Sequence, residues 1–188
     1  MSDNKANWLT ACTGSLRWPF GVEALLAIDP GNIESGYAIL GDEYEPIAFG
    51  KVPNENLVKQ IISECTNRNI GIRKVVIERI KSYGMAVGQS VFDTCVWVGR
   101  YSAIFEIMLE GTPTEYVGRK EYIVDLIGTP KAKDANVIQY LIDRFAPNTP
   151  NRGKGTKKGP GFFYGFRADV WQAYAIGVWA LDKEKGKA

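Results

Sequence analysis

Two short apolar runs, EALLAID at residues 23–29 and RKVVIE at 73–78, each end on an acid. This repeated ending constrains the fold more than any other feature of the chain. Runs of this length read as buried strands rather than helices. The first stops at Asp29-Pro30-Gly31, a turn. GYAIL at 36–40 and PIAFGKV at 46–52 are also strand-like, with GDEYE between them as a hairpin turn, so the first three strands form an antiparallel meander. Over 54–69, Leu57, Ile61 and Cys65 recur at helical spacing beside Val58 and Ile62, which predicts an amphipathic helix with Asn54 as its N-cap.

Beyond the second acid-ended strand, residues 85–109 carry Val87, Val91, Cys95, Val98, Phe105 and Met108 near helical spacing, and Phe92, Val96 and Ile104 widen the stripe. A helix that apolar is buried on several sides or carries a subunit interface. PTEYV at 113–117 is a short strand. Helices follow at 119–127 and 133–145, broken at Gly128-Thr129-Pro130, and a last helix spans 168–181 with Asp169 in its first turn. Three antiparallel strands followed by alternating helices and parallel strands predict an α/β protein: a mixed five-stranded sheet flanked by helices. The 188 residues suit one domain over 23–182, with an N-terminal extension at 1–22, in which Trp18-Pro19-Phe20 packs on the domain, and a polar tail at 183–188.

The chain has no histidine, which excludes a Ser-His-Asp triad, a Cys-His pair and a histidine metal cluster. Hydrolytic chemistry must therefore rest on carboxylates, lysines or bound metal. Cys12, Cys65 and Cys95 are odd in number and far apart, so they suggest neither a zinc site nor a disulfide framework. Cys65 and Cys95 are expected to be buried, inert thiols within helices. No apolar run is long enough to span a bilayer, and the N-terminus lacks a basic start followed by an apolar core, so a cytoplasmic protein is expected. Net charge is only +2, but residues 148–167 hold Arg152, Lys154, Lys157, Lys158 and Arg167 without an acid. Phe162, Phe163, Tyr164 and Phe166 lie among these cations. They stack on unpaired bases if exposed and anchor the loop if buried, and mostly buried is the expectation.

Asp29, Glu78 and Asp169 stand out by position. With strand 1 central, the first two converge at one edge of the sheet and the last helix adds the third. Taken singly, Asp29 is a turn residue and Asp169 a first-turn acid favoured by the helix dipole. Together, three neighbouring carboxylates repel one another unless they hold divalent cations. Oxygen-only ligands suit Mg²⁺ or Mn²⁺, and two such ions clamp the attacking water and the leaving oxygen of a phosphodiester.

Ile28-Asp29-Pro30-Gly31 with Gly36-Tyr37-Ala38 resembles the opening motif of the RuvC-type Holliday junction resolvases. Val75-Val76-Ile77-Glu78 resembles their second acidic strand, Val98-Gly99-Arg100 falls in their central helix, and Ala168-Asp169 leading into Ala173-Tyr174-Ala175-Ile176 resembles their last motif. The likeness covers roughly 23–182, and the Gly-Thr-Lys-Lys-Gly-Pro-Gly run at 155–161 is similar to phage-encoded members. The resemblance implies an RNase H-like fold, a homodimer, Mg²⁺ dependence and paired nicks in a four-way DNA junction. It carries Asp29, Glu78 and Asp169 over as metal ligands. Family members often have an acid one helical turn after the last, where this chain has Gln172, whose amide oxygen is a weaker ligand for a second ion.

Lys133 is the expected phosphate-stabilising lysine, as implied by a family lysine in this region, with Lys131 beside it. Lys81, Ser82, Tyr83 and Arg100, together with the five cations of the 148–167 loop, are the expected DNA contacts. Asp93 and Asp134 are left outside the metal site. Three alternatives stand beside the resolvase: another RNase H-like nuclease acting on flaps or RNA–DNA hybrids, a junction-binding protein that does not cut, and an actin-like nucleotide-binding fold. The last needs a second phosphate loop and usually a longer chain.

Overall fold

The computed structural model describes residues 21–82, 84 and 86–187. Cys12 and Trp18-Pro19-Phe20 lie outside the described residues, as does Tyr83. Val22–Asp29 (β1), Glu34–Leu40 (β2), Pro46–Pro53 (β3), Ile70–Arg79 (β4) and Thr114–Gly118 (β5) form one sheet in the order β3-β2-β1-β4-β5. β1 pairs antiparallel with β2 and β2 with β3, whereas β4 runs parallel to both β1 and β5. The helices are Leu57–Arg68 (α1), Gln89–Met108 (α2), Arg119–Ile127 (α3), Asp134–Phe145 (α4) and Val170–Glu184 (α5).

β1 takes the central place because Ala24 to Ile28 are apolar without interruption and both faces of the sheet are covered. Strand alternation divides its side chains between two cores. Leu25 and Ala27, with Ala38, Leu40, Val76 and Val117, meet α3, α4 and α5. Leu26 and Ile28, with Ile39, Val75 and Ile77, meet α1 and α2. α5 is buried from Val170 to Asp182 and lies across β1 and β2. Gly177 allows that close approach: a Cβ there would stand 2.5 Å from Leu40 Cδ1. At the far end of α5, Asp182 accepts two hydrogen bonds from the Arg144 guanidinium, at 2.5 and 2.7 Å, and one from the Tyr44 hydroxyl at 2.7 Å.

Several expectations are corrected. Asn54 does not cap α1; it sits in a short 3₁₀ turn, Asn54–Asn56, with its side chain buried and bonded elsewhere. Cys65 is buried and its thiol is pushed up to about 11 by burial, but Cys95 is exposed. Cys95 is exposed because α2 buries only one side, through Thr94, Tyr101 and Phe105. The rest of its wide apolar surface, including Phe92, Val96, Ile104 and Ile107, faces outward. Of the two accounts of that helix, burial on several sides is excluded. α5 continues through Lys183, ion-paired to Glu115 on β5, and Glu184, ion-paired to Arg73 on β4, so the helix ends later than 181. Among the described residues no helix is long and apolar enough to cross a membrane.

Candidate active site

The site is a single transverse row across the sheet. Lys51 on β3 pairs with Gly36 on β2, and Gly36 pairs with Asp29 at the end of β1. Ile28 pairs with Ile77, one step before both acids, so Asp29 and Glu78 stand side by side at the ends of adjacent parallel strands. Glu78 in turn pairs with Val117. Asp29 shares the face of Leu25 and Ala27, and Glu78 shares that of Val76, so both carboxylates turn toward the helix layer that contains α5.

Asp169, the N-cap residue of α5, meets this row at Gly36. A Cβ on Gly36 would lie 2.7 Å from the Asp169 carbonyl oxygen and 3.1 Å from its Cβ. A glycine is therefore required for α5 to begin directly over Asp29. Ala168, just before it, has a positive φ of 42°, a costly conformation for a residue with a Cβ, and it turns the chain into the helix.

The turn after Asp29 is braced from the opposite core. Asn54 Nδ2 donates to the Gly31 carbonyl at 3.0 Å, and Ser35 Oγ donates to Asn54 Oδ1 at 2.6 Å. The buried Tyr101 hydroxyl of α2 closes the network, 3.1 Å from Ser35 Oγ. Buried polar groups that satisfy one another in this way fix the strand end.

Charge in the row is concentrated and poorly solvated. Burial, reinforced by Glu78 and Asp169, raises the Asp29 carboxyl well above its ordinary range. Burial pushes Glu78 up to about 7, against the opposing pull of Arg119 and the Tyr122 hydroxyl. Two cations flank the acids. Lys51 Nζ lies 2.9 Å from Asp169 Oδ2 and 3.3 Å from Glu34. Arg119, the first residue of α3, is ion-paired with Asp134, and its Nη1 donates to the Tyr122 hydroxyl at 3.0 Å and to Gln172 Oε1 at 3.3 Å. The Tyr122 hydroxyl lies 3.2 Å from Gln172 Oε1 and 3.3 Å from Glu78 Oε2.

The donors present, carboxylate oxygens crowded against one another in a half-buried setting, fit a hard divalent cation. In this conformation Asp169 is drawn to Lys51, and among the described residues no three acidic or cysteine side chains converge at ligand distance.

The structure thus brings together Asp29, Glu78, Asp169 and Gln172. It adds Lys51, Arg119 and Tyr122, which the sequence reading missed. Asp134, read as lying outside the site, is the first residue of α4 and acts electrostatically on both Asp29 and Glu78. Asp93 is remote, accepting a hydrogen bond from Gln89 within α2. Lys133 is the exposed N-cap residue of α4, adjacent to Asp134, and Lys131 is exposed just before it. Lys81 is ion-paired with Glu121 at the start of α3, Ser82 is exposed beyond β4, and Arg100 is exposed on α2 with its guanidinium over Trp97. In the basic loop Arg152, Lys157, Lys158 and Arg167 are exposed and Lys154 half-buried. Phe163 and Phe166 are buried and Phe162 half-buried, as expected, whereas Tyr164 is exposed.

Known structures share this architecture. The Thermus thermophilus RuvC structure superposes with a TM-score of 0.57 at 16% identity, covering 88% of this chain and 98% of that one. T. thermophilus RuvC in complex with a Holliday junction substrate gives a TM-score of 0.60 at 13% identity, over the same shares of 88% and 98%. At these identities the likeness is one of fold, and the sheet of three antiparallel strands followed by two parallel ones is the expected RNase H-like one. No protein-family model matches the chain, and no curated protein is similar to it in sequence.

Proposed function

We propose that this protein is a divalent-metal-dependent DNA endonuclease that resolves four-way junctions or related branched DNA, as a RuvC-type resolvase similar to phage-encoded members, working in the cytoplasm. One observation carries the reading: within a RuvC fold, Asp29 and Glu78 lie side by side at adjacent parallel strand ends, with Asp169 packed beside Asp29 through Gly36. Asp29, Glu78 and Asp169 are the proposed ligands of Mg²⁺, with Mn²⁺ substituting. The bound cation supplies Lewis-acid stabilisation of phosphate charge and a more acidic water. Asp29 and Glu78 hold negative charge at a fixed point of the sheet. Tyr122 orients Glu78, and the Ser35–Asn54–Tyr101 network holds the β1 end in register.

The exposed cations of the 148–167 loop, with Lys131, Lys133, Ser82, Tyr83 and Arg100, are the proposed backbone contacts for DNA. Lys81 reaches a phosphate on release from Glu121. The RuvC relative was solved with a Holliday junction, and a junction with two-fold symmetry suits a C2 dimer. The exposed apolar side of α2 is the proposed dimer face.

Cleavage of a labelled synthetic four-way junction beside a matched linear duplex, in Mg²⁺, Mn²⁺ or EDTA, tests the proposal. Paired nicks confined to the junction, absent in EDTA and in Asp29→Asn, are expected; equal cutting of both substrates removes the junction selectivity. A second reading, a junction-binding protein without cleavage, draws on the engagement of Asp169 by Lys51 and of Gln172 by Arg119. Tight junction binding without nicks under any metal would favour it.

A further inference from the structure

The site's carboxylates are not equivalent. Asp169 has its own cation in Lys51, and Asp134 has its own in Arg119. Asp29 and Glu78, side by side and both poorly exposed, form no salt bridge among the described residues. Two adjacent carboxyls without a salt bridge of their own offer one divalent ion its anionic donors.

Arg119 occupies the side of the row where a second ion would find its donors. Its guanidinium is held at both ends of the fork, by Asp134 through Nη2 and by Tyr122 and Gln172 through Nη1. Gln172, which is buried, has its amide oxygen engaged by two donors, the Arg119 guanidinium and the Tyr122 hydroxyl. On that side the Gln172 amide oxygen is taken up by Arg119 and Tyr122, and the one nearby acid, Asp134, is already neutralised by Arg119. A dication placed there would face a fixed guanidinium, and two cations in a half-buried setting repel strongly. A planar guanidinium anchored in this way is a rigid, permanently charged substitute for a metal ion.

We infer that Arg119 takes the place of one of the paired divalent cations, so that each chain binds a single Mg²⁺ or Mn²⁺, held by Asp29 and Glu78 and by Asp169 on its release from Lys51. The inference rests on the metal-dependent reading above and specifies how many ions that site takes. It also assigns Arg119 a role toward substrate: its guanidinium would supply fixed positive charge for a phosphate in place of a second metal.

Mn²⁺ titration of the DNA-free full chain, followed by calorimetry and by electron paramagnetic resonance, separates the possibilities. The wild type is expected to bind one Mn²⁺ per chain and to give the spectrum of isolated ions at saturation. Arg119→Met, which frees Asp134 and Gln172, is expected to admit a second ion with a spin-coupled spectrum, whereas Arg119→Lys keeps one. Two coupled ions in the wild type would overturn the inference and leave the nuclease reading intact. So would one ion in a folded Arg119→Met protein. If that variant fails to fold by circular dichroism, the wild-type stoichiometry still decides. No Mn²⁺ bound by the wild type, or binding undiminished in Asp29→Asn, would instead bring down the metal site on which the inference depends.

Discussion

Glu78 carries a carboxyl that burial holds near 7, and burial raises the Asp29 carboxyl in the same direction. Because the folded protein binds these protons more tightly than the unfolded chain, stability falls as pH rises from about 4.5 through 7. Glu78→Gln removes that cost. The variant is expected to exceed the wild type by about 1–3 kcal/mol above pH 7 without divalent ions, with the gain vanishing near pH 4.5. Thermal melts across pH check it, and a gain that is the same at all pH values would contradict it. Added Mg²⁺ should raise the melting temperature of the wild type and not of Asp29→Asn, because only a protein that binds the ion is stabilised by it. Gly36→Ala is expected to abolish cutting while circular dichroism stays native, since its methyl must displace the Asp169 backbone from the row. The three acids were legible because two end apolar strands and one opens a helix. Lys51, Arg119 and Asp134 were not, because their positions depend on the β2–β3 register and on where two loops place helix starts. A hairpin register counted from Asp29 through Gly36 would have found Lys51.

At the scale of elements, periodicity located every strand and helix of the described residues to within a few residues, because burial imposes period two on strands and period 3.6 on helices. Errors fell where tertiary contacts override local signals. Asn54 has the chemistry of a cap, but Ser35 and Gly31 claim its side chain. Cys95 lies in an apolar pattern wider than the sheet can cover. That uncovered side makes α2 the element to test for assembly. Replacing Phe92 and Ile107, both exposed, with lysine is expected to give a monomer by light scattering, with melting temperature lowered only by loss of the dimer. A wild type that is already monomeric at micromolar concentration would remove the dimer. α5 has a different vulnerability. Its buried Asp182 is matched by Arg144 and Tyr44, so Asp182→Ala strands a guanidinium in a largely apolar setting. A loss of about 3–5 kcal/mol in chemical denaturation is expected. A loss below about 1 kcal/mol would mean the pair is screened like a surface bridge.

Over the whole molecule, charge is distributed so that a nearly neutral chain still presents a local cationic surface. The 148–167 segment achieves this by dividing its labour between two kinds of side chain. Phe163 and Phe166 are buried against Trp171 and Tyr174, and Phe162 stacks on Phe145, which fixes the base of the loop to the α4–α5 layer. Arg152, Lys157, Lys158 and Arg167 are left facing outward on that base, immediately before Asp169. Composition could show the cations but not their orientation, since the same aromatics would serve equally well as exposed stacking platforms. Anchoring changes what DNA binding should look like. Cations on a fixed base meet phosphates at a set distance from the acids, so their contribution is electrostatic and insensitive to sequence. Removing a cation that neutralises one phosphate lowers the salt dependence of the binding constant by about 0.9 in its log–log slope. Lys157→Ala with Lys158→Ala is therefore expected to reduce that slope by about 2 on a four-way junction, weakening binding at physiological salt while leaving nicking at saturating protein near the wild-type rate. Fluorescence anisotropy over a range of KCl concentrations measures the slope, and single-turnover cleavage measures the rate. An unchanged slope would place DNA away from this loop, on Lys131, Lys133 and Arg100. A reduced rate at saturation with an unchanged slope would make the loop part of the reacting centre and not of the grip.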